Sequence, residues 1–207
     1  KIVIEAIGGS PVNGAQITIE DVMLELGIGA SAYNLINMGH FDESSTTSTG
    51  VVSSELTSYW QSTDNGVGIG VTVGGSLKIT GAVGETRKAS QTVKVLPDEL
   101  WLDYSTPSTL TPANFFLLSG LAYKVGNSPA GTFGLSAKIT CYNISDDGTS
   151  NHIIEEYIPF NNTISDVQYV SQLITIPAGY FVNRIEVSCV SSNLVDTVYF
   201  DNISLTR

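Results

Sequence analysis

The stretch VYFDNISLTR, residues 198–207, has the clearest β-strand pattern in the chain. Successive side chains of a strand point to opposite faces, so Asp201 is predicted to share a face with Ile203 and Leu205. The two aliphatic residues mark that face as the buried one. Burying an unpaired charge is costly, and we therefore expect the Asp201 carboxylate to have a partner.

Segments of the same character occupy most of the chain before this stretch. They alternate polar and apolar residues or are rich in Val, Ile, Thr and aromatic residues, and Gly, Pro, Asn or Asp separate them. The predicted strands are VGIGVTV (67–73), SLKITG (76–81), SQTVKVL (90–96), FFLLSGLAYKV (115–125), GLSAKITCYN (134–143), HIIEEYIPF (152–160), QYVSQLITI (168–176), NRIEVSCV (183–190) and TVYFDNISL (197–205). No segment keeps a 3.6-residue apolar period long enough for a major helix. The pattern predicts an all-β, antiparallel fold that is closed or sandwiched.

The first residues of the chain repeat the pattern of the last ones. The strands KIVIEAI and ITIEDVMLELG flank a turn, as NRIEVSCV and VYFDNISL do, and Glu20 corresponds to Asp201. We interpret both pairs as β-hairpins. Residues 1–33 are then the terminal hairpin of a preceding β module plus a linker, and residues 34–207 are one domain. We expect the sequence to be a piece of a longer tandem array, with neighbouring modules of the same chain as partners.

The composition excludes two classes of partner. The formal charge is −11, and the nine Lys and Arg residues are scattered, whereas a nucleic-acid binder needs them clustered. The apolar runs are far shorter than the roughly 20 residues that a membrane helix requires. We predict no nucleic-acid binding and no membrane insertion. Charged residues make up only 14% of the chain, and such a composition is typical of extracellular and virion β-proteins.

Two cysteines, Cys141 and Cys189, each lie on the apolar alternation of a predicted strand. Two buried thiols are the simpler interpretation. A disulfide stays open as the alternative if the two strands are adjacent.

No arrangement of residues favours catalysis. The two histidines, His40 and His152, accompany no GxSxG motif, and we expect them at the surface or at a strand edge. Glu155 and Glu156 are adjacent and so point to opposite faces of a strand, while residues 146–148 (DDG) are a hairpin turn signal. We therefore expect that this segment is not an enzyme, whatever its parent polypeptide does.

Sugar binding requires flat aromatic faces and a few placed hydrogen-bonding groups. Trp101 and Tyr104 lie in the loop-like segment 97–116, where a hydrophobic core rarely explains aromatic residues. They are candidate carbohydrate-binding residues.

A second group of candidates lies on strand faces that point away from the predicted core. Tyr142 shares such a face with Lys138, and Arg184 shares the matching face of a later strand with Glu186. If the two strands are neighbours, these four residues form a shallow groove of polar and aromatic character. A solvated sheet face is the alternative.

The segment NLINMGHFDE (34–43) and the terminal YFDNISL resemble the two ends of the family 4/9/22-type carbohydrate-binding jelly rolls. The matching residues are Asn34, Leu35, Ile36, Gly39, Phe41 and Asp42 at the start and Phe200, Asp201, Asn202, Ile203 and Leu205 at the end. The resemblance implies an antiparallel jelly-roll β-sandwich over residues 34–207. It also implies that Trp60 is a core residue, because the family commonly has a core tryptophan at the matching position. Met38 and Asp42 depart from the usual Asn and Glu, and residues 97–116 look like an insertion.

The resemblance also implies a metal. Members of this family often hold a structural Ca²⁺ where the first and last strands meet, and the corresponding ligands are Asp42 and Asp201. Ca²⁺ takes six to eight oxygen ligands, and its charge would offset the burial of a carboxylate. The alternative is that Asp201 accepts backbone N–H bonds or faces Arg207.

The stretch MLELGIGASAY (23–33), which ends in the linker GIGASAY (27–33), is similar to a joint found in phage tail fibre and tail spike proteins that carry such jelly rolls. The implied function is non-catalytic attachment of a phage tail protein to a bacterial surface polysaccharide, and the implied location is the virion tail surface or the extracellular space. One alternative is a structural module that spaces domains or forms a homotrimer. Another is an accessory domain of a secreted polysaccharide-degrading enzyme.

Overall fold

The computed structural model describes residues 34–37, 39–41, 59–62, 68–72, 75–94, 115–143 and 151–206. All of them belong to one compact unit, Tyr33–Arg207. The predicted hairpin and linker of residues 1–33 lie outside the described residues, and so do Asp42, Trp101, Tyr104 and Arg207.

Ten strands make up the described part of the domain. They are β1 Gln61–Ser62, β2 Ile69–Val71, β3 Leu77–Thr80, β4 Thr86–Lys94, β5 Phe115–Val125, β6 Thr132–Asn143, β7 Asn151–Pro159, β8 Gln168–Thr175, β9 Tyr180–Ser192 and β10 Thr197–Thr206. The front sheet has the order β1-β4-β9-β6-β7, and the back sheet has the order β2-β3-β10-β5-β8. Every pairing is antiparallel. The predicted antiparallel jelly-roll β-sandwich is confirmed.

The core lies between the two sheets and consists of alternate residues of their inner faces. Phe133 on β6 and Phe200 on β10 belong to opposite sheets, and their rings meet edge to face with centroids 6.4 Å apart. Trp60 is 1% exposed, which confirms its prediction as a core residue. Among the described residues, no helix is long and apolar enough to span a membrane.

All nine predicted strands are present, but the pairing inferred for the last two is wrong. β9 lies in the front sheet between β4 and β6, whereas β10 lies in the back sheet between β3 and β5. The connection between them is therefore an arch that crosses from one sheet to the other. Asn193 in this arch has a φ of 50°, and its backbone N–H donates to the carbonyl of Glu85 at 2.7 Å. An apolar alternation shows that a strand has a buried face, but it does not show which strand is its neighbour.

The face predicted for Asp201 is also wrong, because β10 contains a β-bulge. Phe200 is buried and so is Ile203, and the register with β5 shifts between Asp201 and Ser204. Asn202 has a φ of 51°, and the extra residue reverses the alternation of buried and exposed positions. Asp201 is therefore half-buried on the outer face of the back sheet. Its Oδ1 accepts a hydrogen bond from the backbone N–H of Asn202 at 2.7 Å.

The opening segment, residues 34–37 and 39–41, is hydrogen-bonded to β10. The side-chain Oδ1 of Asn34 accepts from the backbone N–H of Leu205 at 3.0 Å, and the N–H of Leu35 donates to the Leu205 carbonyl at 2.9 Å. Further along, the N–H of Ile203 donates to the carbonyl of Gly39 at 2.9 Å. The two ends that share the family motif are thus in direct contact.

A buried glutamine attaches the same segment to β4. Gln91 is 4% exposed, and its Oε1 accepts from the N–H of Asn37 while its Nε2 donates to the Asn37 carbonyl, both at 2.8 Å. Trp60 donates from Nε1 to the same carbonyl at 3.2 Å. The opening segment is therefore held by both sheets, since β4 lies in the front sheet and β10 in the back sheet.

Cys141 and Cys189 are both buried free thiols. β6 and β9 are adjacent, but the register sets Cys141 opposite Val182 and Cys189 opposite Leu135. Burial raises the pKa of the Cys141 thiol to about 11 and also raises that of Cys189. Both side chains therefore stay protonated near neutral pH, where the reactive thiolate is disfavoured.

Candidate functional site

A cleft of about 300 Å³ lies on the front sheet. Its lining residues come from the four strands β4, β9, β6 and β7. They are Lys88, Ser136, Ala137, Lys138, Glu155, Glu156, Tyr157, Glu186 and Ser188. We call this cleft the front groove.

Small residues at the centre of the sheet produce the depression. Ser136 on β6 lies opposite Ser188 on β9. Two residues further along, on the same outer face of the sheet, Lys138 lies opposite Glu186. On the other side of β6, Tyr157 of β7 lies opposite Ser136. Serines therefore form the floor, and longer side chains from the flanking positions form the walls.

Two ion pairs cross the strands of the groove. Lys88 Nζ lies 2.8 Å from Glu186 Oε1, and Lys138 Nζ lies 3.0 Å from Glu155 Oε1. All four side chains are between about a third and two thirds exposed, so solvent screens both pairs. Exposed pairs of this kind contribute little to stability, and their donors and acceptors can exchange partners with a polar ligand at low cost.

Tyr157 is the aromatic side chain of the groove, and it is not among the binding residues predicted from the sequence. A Cβ added to Gly134 would lie 2.7 Å from Tyr157 Cζ, so the glycine leaves the space in which the ring lies against β6. The residue is 41% exposed. Burial raises the pKa of its hydroxyl, while a hydrogen bond with the Thr132 side chain lowers it in part. The hydroxyl is therefore neutral at physiological pH, as a hydrogen-bonding group of a sugar site should be.

The sequence contained one signal for Tyr157. It shares the outward alternation of its strand with Glu155, and both residues are exposed. The missing information was the register between β6 and β7, which sets this face beside Lys138 and Ser136.

The structure brings together some of the candidate binding residues. β6 and β9 are neighbours, as a groove shared by the candidate residues of these two strands requires. Both Lys138 and Glu186 line the front groove. Arg184 lies one pair further along the sheet, where its Nε is 3.4 Å from Thr140 Oγ1. Tyr142 is half-buried and packs against the core. Trp101 and Tyr104 lie outside the described residues.

The junction of the opening segment with β10 is where the resemblance implies calcium. Asp201 contributes one carboxylate there, and His40 Nδ1 and Asn202 Oδ1 are in hydrogen-bonding contact beside it. The described ranges contain no group of three His, Cys, Asp or Glu side chains placed to hold a metal ion. The fit of this junction to Ca²⁺ therefore depends on amide and backbone oxygens beside Asp201, which Ca²⁺ accepts, and on Asp42.

The chain matches no protein-family model and no curated protein. It is similar to several solved structures. A family 16 carbohydrate-binding module is 19% identical over 66% of this chain and 81% of its own, with a TM-score of 0.41. The enzymatically active domain of tailspike protein 4 of bacteriophage CBA120 is 18% identical over 83% of this chain and 21% of its own, with a TM-score of 0.42. A xylan-binding domain from Paenibacillus barcinonensis is 13% identical over 86% of this chain and 96% of its own, with a TM-score of 0.44.

Proposed function

We propose that this domain binds a polysaccharide in the front groove and does not cleave it. The observation that carries the proposal is one aromatic ring, Tyr157, beside two exposed Lys–Glu pairs on a continuous five-stranded sheet. The CH groups on one face of a pyranose pack against an aromatic ring, and its hydroxyls exchange hydrogen bonds with charged and hydroxyl side chains.

The two carboxylates that face outward in the groove serve as binding groups in this proposal. Glu155 and Glu186 each hold a lysine ammonium at 2.8–3.0 Å. Glu156 has a different partner, because Gln172 on β8 donates from Nε2 to its Oε2 at 2.9 Å. Each carboxylate is thus engaged by a donor from another strand, and the two outward carboxylates can accept a sugar hydroxyl in place of a lysine ammonium.

We further propose that the parent polypeptide is a phage tail protein and that its glycan is a bacterial surface polysaccharide. The support is the similarity of MLELGIGASAY (23–33) to the joints of such proteins.

Replacement of Tyr157 is expected to weaken polysaccharide binding most. Tyr157→Ala removes the ring that packs against the sugar, and we expect the dissociation constant to rise by about tenfold or more, since a stacking contact of roughly 1.4 kcal/mol corresponds to that factor. Affinity electrophoresis through gels that contain xylan, mixed-linkage β-glucan or a bacterial capsular polysaccharide measures the retardation of each variant.

Two comparisons make this experiment decisive. Tyr59→Ala removes an exposed tyrosine that does not line the groove and should leave retardation unchanged. Tyr157→Phe keeps the ring and should retain most of the binding. Equal retardation of wild type and Tyr157→Ala in a gel that does retard the wild type would move the binding site away from the front groove.

We also propose a structural Ca²⁺ at the junction of the opening segment and β10, with Asp201 and Asp42 among its ligands. A ligand that binds only the folded state at a hundred times its dissociation constant stabilises by about 2.7 kcal/mol. For a chain of this size that corresponds to a rise in melting temperature of roughly 5–11 °C. Thermal unfolding in EDTA and in millimolar CaCl₂ measures this difference.

Asp201→Asn is the matched variant for the calcium experiment. The amide oxygen can still accept the hydrogen bond from the Asn202 backbone N–H, while the charge that attracts Ca²⁺ is lost. We expect this variant to melt at the same temperature in EDTA and in CaCl₂. Identical melting of the wild type in both buffers would contradict the calcium proposal.

A further inference from the structure

The sheet edges of this domain differ in their protection against pairing with other strands. In the described part of the chain the edges are β1 and β7 in the front sheet and β2 and β8 in the back sheet. β1 and β2 are only two and three residues long. β7 carries Glu155 and Glu156 and ends at Pro159. Short length, charge and proline are the devices by which natural proteins prevent pairing between edges.

β8 has none of these devices. It runs over eight residues with the sequence QYVSQLIT, which contains no charged residue and no proline. Its register with β5 is regular over the whole length, without a bulge. Within the described ranges, no strand pairs with its other side. β8 therefore presents a row of backbone donors and acceptors that can template another strand.

The outer face beside this edge is apolar. On β8, Tyr169 is 63% exposed and Leu173 is 56% exposed, and on β5, Phe115 is 51% exposed and Leu117 is 39% exposed. Leu117 and Leu173 are directly paired across the two strands, and the pair of Ser119 and Ser171 separates this leucine pair from Tyr169. Exposed apolar surface of this kind marks an interaction site rather than an ordinary solvated face.

We infer that the occupant of this edge is a second copy of the chain, paired antiparallel through β8 about a two-fold axis. In such a dimer the same surface of both copies meets itself, so an edge whose charges all have one sign would repel its own copy. The chain carries a net charge of −11, so its edges tend to carry negative residues. β8 is a long edge without any charged residue, and two copies of it can therefore pair without charge repulsion between the strands. Self-pairing of β7 would instead bring the Glu155 and Glu156 carboxylates of two copies together.

One register satisfies both the faces and the side chains. Directly opposed residues of an antiparallel pair lie on the same face of the sheet. The two-fold axis must therefore lie midway between the two copies of one residue, which then face each other. If the central residue is Ser171, Tyr169 of one copy faces Leu173 of the partner subunit, and this pair occurs twice. If the central residue is Gln172, Leu173 faces Ser171 and Tyr169 faces Thr175 of the other copy. Aromatic–aliphatic pairs are the more stabilising, which selects the axis at Ser171.

Light scattering during size-exclusion chromatography of the full chain at several concentrations tests this dimer. The wild type should have twice the mass of the 22.0 kDa chain. A variant with Tyr169→Lys and Leu173→Lys opposes like charges at both pairs and should raise the dimer dissociation constant about tenfold or more. A variant with Tyr169→Lys and Leu173→Glu places opposite charges at both pairs and should restore the dimer.

Val83→Lys is the control for added charge, since Val83 is 74% exposed in the turn between β3 and β4 and should not affect the mass. All substituted positions are exposed, and the charge-swap variant carries the same Tyr169→Lys change, so its dimerisation shows that the fold accepts it. A wild type that is monomeric at every concentration, or a trimer, would overturn the proposal. So would a dimer that tolerates both lysines, or one that the charge-swap variant fails to restore.

Discussion

Replacement of Lys124 by methionine is expected to lower the free energy of unfolding by roughly 3–5 kcal/mol, because it leaves a carboxylate without its cation in the interior. Lys124 on β5 is only 3% exposed, and its Nζ lies 3.0 Å from Asp196 Oδ2. The same ammonium donates to the carbonyl of Ser128 at 2.8 Å. Asp196 Oδ2 in turn accepts from the Ser128 backbone N–H at 2.8 Å.

Urea unfolding followed by the fluorescence of the buried Trp60 measures this loss. The double variant with Lys124→Met and Asp196→Asn removes both charges and keeps an oxygen for the Ser128 N–H, so it should recover most of the stability. Lys138→Met breaks an exposed pair and should cost at most about 1 kcal/mol. A loss for Lys124→Met no larger than that for Lys138→Met would contradict the role of the buried pair.

Phe200→Ala is expected to cost a similar amount, roughly 3–5 kcal/mol, because it opens a cavity between the sheets. The ring is fully buried and meets Phe133 and Phe160 edge to face, with centroids 6.4 and 6.0 Å away. Phe200→Leu fills most of the space and should cost clearly less.

Tyr199→Ala is the matched control for Phe200, since it removes the neighbouring ring on the opposite face of β10. Tyr199 stacks on Tyr123 with centroids 4.6 Å apart, and loss of such a pair at a half-exposed position costs about 0.5–1.5 kcal/mol beyond its buried area. Calorimetric melting of the three variants ranks them. Equal losses for Phe200→Ala and Tyr199→Ala would show that the space between the sheets can collapse around the missing ring.

The strands could be predicted from the sequence because each is set by local pattern. Phe115–Val125 was predicted with both of its bounds correct, since this run is rich in aromatic and aliphatic residues and has Asn114 before it and Gly126 after it. β1 was missed because two residues, Gln61–Ser62, contain no period. The burial of both cysteines also followed from their strands, whereas that of Trp60 followed from the family resemblance.

Properties that depend on pairing could not be predicted in the same way. The positive φ at Asn202 produces a bulge that moves Asp201 to the outer face, and alternation alone cannot detect an inserted residue. The arch between β9 and β10 has the sequence features of a hairpin turn, because an arch and a hairpin turn both interrupt the apolar pattern of the strands. Tyr157 was missed for a related reason, since its neighbours in the groove come from strands that are distant in the chain. The Ca²⁺ ligands and the phage context stay predictions.

The fastening of Leu35 to Leu205 has a mechanical consequence for a polypeptide that carries this domain in tandem with others. The entry and exit of the domain lie side by side, so tension along the parent chain is taken up first by the few hydrogen bonds between residues 34–39 and 203–205. The other nine described strands bear little of the tension until those bonds break, because the load enters through β10. Under load the domain would thus extend at its base while its two sheets stay folded.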